Sequence, residues 1–280
     1  MKHLFIIIFS LIFSAHTIAF EVNSSTFVGQ KTKIEQPITV VLPDNYATTK
    51  RYNVIYVLHG FGGNHTDWTK LTEIGKLADL YDVIVVNPDG NYGAWYLNSP
   101  VLSDSQYETY IAEDVVNYID NSYSTNRSKM GRGITGLSMG GFGALNVAIN
   151  NQPIFAAASS MSGGVDLRPF AAEFGIAKVL GEYSQYPQRW DNAAIINNLH
   201  KLAAGNTLWK KTAANLPIML DIGVEDFFIE QNRKLHQALL AQRIRHDYVE
   251  RPGGHDWHYW QKVIPYQFLF LTSHMQPAGE

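Results

Sequence analysis

The stretch that decides the fold is GLSMGGFG at residues 136–143, in which Ser138 stands between glycines. The pattern G-x-S-x-G is typical of a sharp turn from a strand into a helix, with the central serine in strained backbone geometry. Glycines flank the serine because a Cβ at those positions would collide with its neighbours. The pattern therefore predicts that Ser138 is a nucleophile.

The residues around this octapeptide supply the strand and the helix that the motif requires. Residues 132–137, RGITGL, are suited to a short buried strand, and residues 140–149 are small and apolar, as in a helix packed closely on a sheet. A glycine-serine turn without chemistry is the alternative, so the catalytic prediction depends on partners elsewhere in the chain.

Short runs rich in aliphatic and β-branched residues alternate along the chain with helical candidates. Several of the runs are hydrophobic almost throughout, which is typical of strands buried on both faces. The alternation predicts an α/β fold with a mainly parallel central sheet and helices on both faces. The predicted strands are residues 52–58, 82–87, 134–137, 155–160, 218–222 and 246–250, with antiparallel edge strands within 26–42; the predicted helices are residues 71–81, 107–121, 140–149 and 227–242.

The stretch between residues 163 and 217 departs from this alternation, because aromatic, proline and polar residues are mixed in it. We expect a small insertion of short helices over the top of the sheet. The residues leave open whether the insertion caps a site or forms a satellite layer without contact to a substrate.

Residues 1–19 resemble a secretory signal, with Lys2 ahead of an apolar run and small residues up to Ala19. The run is about ten residues long, whereas a membrane-spanning helix needs roughly twenty, so we expect cleavage after Ala19 rather than an N-terminal anchor. Residues 20–280 then form one α/β domain, exported to the periplasm or the extracellular space and without stable membrane insertion.

The composition excludes several kinds of function. With 22 Lys and Arg against 25 Asp and Glu, the chain has a net charge of −3 and no basic footprint for nucleic acid. It has no cysteine, which excludes disulfides, thiol catalysis, Cys-ligated metals and a lipid-anchored N-terminus. The nucleophile must be an oxygen or a nitrogen, and a small-molecule substrate is expected; the oligomeric state stays unknown.

A serine nucleophile needs a histidine to take its proton and a carboxylate to orient that histidine. His255 is the predicted base, because it follows two glycines on a loop at the carboxyl end of a predicted strand, where open α/β sheets place their sites. His258 is its competitor. A zinc hydrolase built on His255, Asp256 and His258 is the metal alternative, although the spacing matches no zinc signature.

The predicted acid is Asp226, which lies just past the predicted strand 218–222 and between the serine and the histidine in sequence. Asp221 and Glu225 are its rivals. Asp226 has a second interpretation, since it could be the N-cap of a helix beginning near Phe227.

Two backbone N–H groups are needed to stabilise the oxyanion of a tetrahedral intermediate. Met139, directly after the nucleophile, supplies the first. The glycine-rich turn HGFGG at residues 59–63 is suited to supply the second, from Phe61 or alternatively from Gly62. The same turn could bind phosphate, but it lacks the lysine of a P-loop.

Four aromatic residues follow predicted strand ends or the nucleophile turn, and we expect them to wall a substrate pocket: Trp95, Tyr96, Phe142 and Trp257. Aromatic walls suit an acyl chain, a phenyl ring or a sugar face equally well. Core packing explains these residues as readily.

Five motifs together resemble the esterase D family of α/β-hydrolases, over about residues 35 to 270. That family includes S-formylglutathione hydrolases, small-ester carboxylesterases such as tributyrin esterases, feruloyl and acetyl-xylan esterases, and the antigen 85 mycolyltransferases. The motifs are YVLHGFGG at 56–63, NPDG at 87–90, GLSMGGFGAL at 136–145, GVEDF at 223–227 and GHDW at 254–257.

The resemblance implies the α/β-hydrolase fold, a triad of Ser138, Asp226 and His255, and an oxyanion hole from the amides of Phe61 and Met139. It implies a serine carboxylesterase for small or short-chain acyl, aryl or sugar esters, with no metal or organic cofactor. An antigen 85-type acyltransferase and an S-formylglutathione-type thioesterase are the alternatives, and the signal-like N-terminus argues against the second. A binding protein without activity is the remaining one.

Overall fold

The computed structural model describes residues 20–203 and 216–277, so the predicted signal peptide lies outside the described residues. Within them, eight strands form one sheet in the order β1-β2-β4-β3-β5-β6-β7-β8. Strands β3 to β8 run parallel, whereas β2 pairs antiparallel with both β1 and β4. The strands are β1 Glu21–Val28, β2 Glu35–Leu42, β3 Asn53–Leu58, β4 Val83–Pro88, β5 Arg132–Gly136, β6 Ala157–Met161, β7 Ile218–Gly223 and β8 Asp247–Arg251.

This sheet confirms the predicted α/β architecture, including the antiparallel pair at its edge. Strands β4 to β7 are buried over their whole length, and β3 and β4 are almost continuously hydrophobic, as expected of strands covered on both faces. In β3, Val54 and Tyr56 pack into one core cluster, while Ile55 and Val57 pack into the other on the opposite face. Because successive residues of a strand point to opposite faces of the sheet, β3 contributes side chains to two separate cores. Edge strand β1 is mostly exposed.

Helices cover both faces of the sheet. One face packs against α1, α2 and α10, and the other packs against α3 to α5, α9 and the short helices of the insertion. The helices are α1 Asp67–Leu71, α2 Ile74–Tyr81, α3 Tyr107–Thr109, α4 Val116–Ser122, α5 Met139–Asn150, α6 Ile176–Leu180, α7 Pro187–Ala193, α8 His200–Ala203, α9 Ile229–Ala241 and α10 Trp257–His274. None of the helices within 20–203 and 216–277 combines the length and hydropathy needed to cross a bilayer.

Two of the predicted helices are interrupted. The helix predicted at 71–81 is α2 preceded by a separate α1, because Thr72 is extended (φ −140°, ψ 170°) and its hydroxyl donates to the carbonyl of Trp68. The helix predicted at 107–121 contains a π-helical turn over Tyr110–Val115 between α3 and α4. The insertion predicted at 163–217 does consist of short helices as far as the structure describes it.

The longest described helix, α10, has no counterpart among the helices predicted from sequence. Its apolar residues recur at helical spacing and pack against the sheet, with Val263, Phe268 and Leu271 buried. Pro265 lies inside the helix. In a sequence, a proline normally indicates the end of a helix because it lacks a backbone N–H donor, so the pattern was not predicted to be helical. Because His255 and Asp256 directly precede α10, this helix also fixes the end of their loop.

Truncation of the buried ring on α10 should destabilise the fold. Phe268→Ala is expected to lower the free energy of unfolding by about 3–5 kcal/mol, because it leaves a cavity in the core. The adjacent Leu269 is 56% exposed, and Leu269→Ala, the matched control, should change it by less than about 0.5 kcal/mol. Urea unfolding measures both, and similar losses in the two variants would contradict the packing of α10.

Candidate active site

The nucleophile turn joins β5 directly to α5. Ser138 has a φ of 53° and a ψ of −116°, a conformation that non-glycine residues rarely adopt. Such strain costs on the order of 1–3 kcal/mol and persists only where neighbouring structure enforces it. The amide of Ser138 donates to the carbonyl of Met161 on β6, at 2.9 Å, and this bond helps to hold the turn in place.

Close packing explains the glycines on both sides of Ser138. A Cβ on Gly140 would lie 2.4 Å from the carbonyl oxygen of Leu58, and one on Gly136 would lie 2.5 Å from the carbonyl oxygen of Gly140. Real Cβ atoms do not approach other atoms so closely. The turn can therefore lie against the end of β3 only because side chains are absent there.

A continuous chain of hydrogen bonds connects the three residues of the predicted triad. His255 Nε2 lies 2.8 Å from Ser138 Oγ, and His255 Nδ1 lies 2.8 Å from Asp226 Oδ2. Because a carboxylate only accepts hydrogen bonds, Nδ1 carries the proton and Nε2 is free to accept from the serine hydroxyl. Asp226 is 2% exposed, so water does not compete for its carboxylate.

The carboxylate of Asp226 has a second partner. Its Oδ1 accepts a hydrogen bond from the amide of Phe228, at 2.8 Å, in a local turn just ahead of α9. The N-cap position of α9 belongs to Phe228, so the interpretation of Asp226 as a helix N-cap is wrong. The turn bond leaves Oδ2 facing His255.

The rivals of these residues lie elsewhere. Asp221 is fully buried and binds Tyr259 and Arg251. Glu225 and His258 are exposed. Asp256 caps α10 by accepting from the amide of Tyr259, and the described residues contain no group of three or more histidines and carboxylates that could hold a metal ion.

Two backbone amides near Ser138 are available to a ligand. Within residues 20–203 and 216–277, the N–H groups of Phe61 and Met139 donate to no backbone or side-chain acceptor. The amide of Gly62, the alternative donor, is bound to the carbonyl of Tyr92 at 2.8 Å. This difference favours Phe61 over Gly62 as the second oxyanion donor.

A buried histidine holds the loop that carries Phe61. His59 Nδ1 lies 2.8 Å from the carbonyl oxygen of Gly60 and must donate to it, while Nε2 accepts from the amide of Gly90 at 2.8 Å. Only a neutral imidazole can do both. Burial lowers the pKa of His59 and so favours this neutral form. No role was predicted for His59 from the sequence, although it is the first residue of the HGFGG turn.

A cavity of about 390 Å³ opens over Ser138 and His255. Of the four aromatic residues predicted to wall it, the structure places Trp257 there. Phe174 from the insertion and Phe227 after Asp226 also line the cavity, and neither was predicted from the sequence to do so. The lining residues are Gly60, Phe61, Gly62, Gly63, Asp67, Leu71, Leu137, Ser138, Phe174, Phe227, His255, Trp257 and Trp260.

The prediction that Trp95, Tyr96 and Phe142 wall the pocket is wrong, because all three are buried and absent from the cavity lining. Trp95 packs against Phe142 and donates from Nε1 to the carbonyl of Phe174 at 3.1 Å. The hydroxyl of Tyr96 donates to the carbonyl of His59 at 3.2 Å. Trp95 thus contacts the wall residue Phe174, and Tyr96 contacts the turn that carries Phe61.

The pocket aromatics also contact the catalytic histidine candidate. The ring of Phe227, which is 49% exposed, lies 4.3 Å from that of His255 between centroids. Phe174 and Phe227 are nearly parallel, at 12° and 6.1 Å between centroids. The insertion therefore contributes a ring directly to the mouth of the site.

Comparisons with known proteins find esterases among the relatives of this chain. The family model described as "Putative esterase" matches residues 29–271. The chain is 28% identical over 235 residues to an acetyl esterase of Caldicellulosiruptor saccharolyticus, covering 80% of this chain and 85% of that one. It is 37% identical over 241 residues to esterase Rv1288 of Mycobacterium tuberculosis, covering 78% of this chain but only 52% of that longer protein.

A similar fold is found in FphF, a fluorophosphonate-binding serine hydrolase of Staphylococcus aureus. The TM-score is 0.78 at 21% sequence identity, over 90% of this chain and 98% of that one. The comparisons confirm the family resemblance deduced from the five motifs and the α/β-hydrolase fold.

The close approach at Gly140 can be tested by adding one methyl group. Gly140→Ala is expected to lower the melting temperature and to reduce esterase activity at least about tenfold, because the backbone of the turn must shift away from β3. In the control, Gly133→Ala, the new Cβ would lie 3.3 Å from Leu271 Cβ, so a shift of a few tenths of an ångström would relieve the contact and both losses should be smaller than in Gly140→Ala. Wild-type activity and melting temperature in Gly140→Ala would contradict the packing of the turn.

Proposed function

Because the chain belongs to this esterase family, we propose that it is a serine carboxylesterase that works through an acyl-enzyme on Ser138. The observation that carries the proposal is the unbroken hydrogen-bond chain from Asp226 through His255 to Ser138. The substrates are small or short-chain acyl esters, with aryl and sugar esters included.

In the first half-reaction, Ser138 Oγ attacks the ester carbonyl carbon while His255 Nε2 accepts its proton. The carbonyl oxygen becomes an oxyanion, to which the free amides of Phe61 and Met139 donate. The imidazolium is stabilised by Asp226 Oδ2, which lies against Nδ1. The C–O bond to the alcohol then breaks, and His255 returns the proton to the departing oxygen.

In the second half-reaction, water replaces the alcohol. His255 accepts a proton from the water as it attacks the acyl carbon, and the same amides stabilise the second oxyanion. Collapse of this intermediate breaks the bond to Ser138 Oγ, which regains its proton from His255. The acid product leaves and the triad returns to its starting state.

The expected losses on mutation follow from these roles. Ser138→Ala and His255→Ala should each abolish turnover with little loss of stability. Asp226→Asn should reduce kcat by about 10⁴, because an amide donor facing Nδ1 favours the wrong tautomer. Turnover of p-nitrophenyl acetate, with labelling by an active-site phosphonate located by peptide mass spectrometry, measures these effects.

The matched control for the acid is the neighbouring Glu225→Gln, which should stay within about twofold of wild type because Glu225 is exposed. A phosphonate adduct on Ser138 is expected in the wild type. Retention of more than a few per cent of activity in Ser138→Ala or His255→Ala would refute the triad.

The aromatic walls should set the acyl preference. We expect p-nitrophenyl acetate and butyrate to be better substrates than the octanoate, because the rings of Phe174 and Phe227 line the cavity beside His255 and would restrict a long acyl chain. Phe174→Ala should raise the octanoate-to-acetate ratio of kcat/KM at least about tenfold by removing a wall.

Tyr183→Ala is the control for this prediction, since Tyr183 is an exposed aromatic residue of the same insertion that does not line the cavity. Its octanoate-to-acetate ratio should match that of the wild type. An unchanged ratio in Phe174→Ala would show that this ring does not limit the acyl group.

A further inference from the structure

Asp221 is a fully buried carboxylate on β7 for which the proposed mechanism has no use. It accepts a hydrogen bond from the Tyr259 hydroxyl at 2.5 Å, and from Arg251 Nε and Gln267 Nε2 at 3.2 and 3.4 Å. A buried carboxylate is costly unless several donors compensate it. Packing alone therefore does not account for a carboxylate at this position.

Two partners of Asp221 flank His255 in the sequence. Arg251 is the last residue of β8, four residues before His255, and Tyr259 lies in the first turn of α10, four residues after it. The carboxylate of Asp221 thus bridges the two ends of the loop that has His255 at its centre. Burial and the neighbouring Asp221 raise the pKa of Tyr259, so its hydroxyl stays protonated and keeps donating.

The loop is also in close contact with the end of β7. The amide of Glu225 donates to the carbonyl of Gly253 at 3.0 Å. A Cβ on Gly223 would lie 2.1 Å from the same carbonyl oxygen. Backbone contacts at Gly253 therefore fix the first half of the loop, and Asp221 connects Arg251 and Tyr259 at its two ends.

Trp260 connects the Asp221 bridge to the imidazole of His255. Trp260 follows Tyr259 and packs edge-on against His255, at 5.0 Å between ring centroids and 87° between planes. Its Nε1 donates to Ser162 Oγ at 3.1 Å, which fixes the indole. A displacement of Tyr259 would therefore move the ring against which the imidazole rests.

We propose that Asp221 is a positioning residue, whose bridge between Arg251 and Tyr259 holds His255 in line with Ser138. The proposal rests on the proposed esterase function. Misplacement of a catalytic group by about 1 Å can cost about 10² in rate. A positioning residue should therefore affect kcat far more than KM.

The experiment compares two esters in the wild type, Asp221→Asn and Tyr259→Phe. The p-nitrophenolate of p-nitrophenyl acetate leaves without a proton, whereas the ethoxide of ethyl acetate needs one from His255. With rates expressed per site titrated to completion by the phosphonate, Asp221→Asn should lose about tenfold in kcat/KM on the aryl ester and about 10² on the alkyl ester, because kcat/KM reports acylation, the step in which the two leaving groups differ. KM should stay within about twofold, and Tyr259→Phe should change in the same direction by less.

The matched control is Asp120→Asn. Asp120 on α4 is another buried aspartate paired with an arginine, but its partner Arg132 is the first residue of β5, at the opposite end of that strand from Ser138. It should lower the melting temperature while leaving the ratio of the two ester rates unchanged.

Equal losses on the two esters in Asp221→Asn and Tyr259→Phe would overturn the proposal and leave Asp221 a structural role only. If Asp221→Asn does not fold, Tyr259→Phe alone decides, since it removes a single hydroxyl. Failure of the esterase function has a different signature, because the wild type would then show neither turnover nor an adduct on Ser138.

Discussion

The contact on which the site depends is the close approach of Gly140 to the carbonyl of Leu58 at the end of β3. It lets the chain turn through only two residues, Leu137 and Ser138, between β5 and α5, and the strain of this turn appears as the positive φ of Ser138. The same contact brings the amide of Met139 and the loop after β3 to one point. The proposed nucleophile and its two proposed amide donors therefore depend on a single packing constraint rather than on three independent ones.

The acid and the base reach that point because parallel strands end at a common edge. Asp226 follows β7 and His255 follows β8, so the sheet itself sets their approximate separation. Fine adjustment comes from the contacts around them: the turn bond to Phe228, the cap of α10 by Asp256 and the buried carboxylate of Asp221. The fold thus sets the approximate positions of Asp226 and His255, and a few polar contacts set their alignment.

The sequence was informative wherever a requirement was local. The glycines around Ser138, the strand-end position of Asp226 and the glycines before His255 each express a short-range constraint, so the three residues that the structure joins by hydrogen bonds could be named from the sequence. The pocket walls could not. Whether an aromatic ring is buried like Trp95 or exposed like Phe227 depends on how the insertion packs on the sheet, which no local pattern encodes. Helix α10 escaped prediction because Pro265 interrupts its pattern, although tertiary packing tolerates it.

The neutral state of His59 bears on how the protein behaves in acid. The imidazole can hold the Gly60 and Gly90 backbones together only while Nε2 lacks a proton, and burial keeps it so below the ordinary histidine range. Because the folded protein binds fewer protons here than the unfolded chain, acidification weakens the fold at this position before it charges the ring. Below the ordinary pKa of histidine, the loop that carries the proposed oxyanion donor Phe61 therefore still keeps its shape.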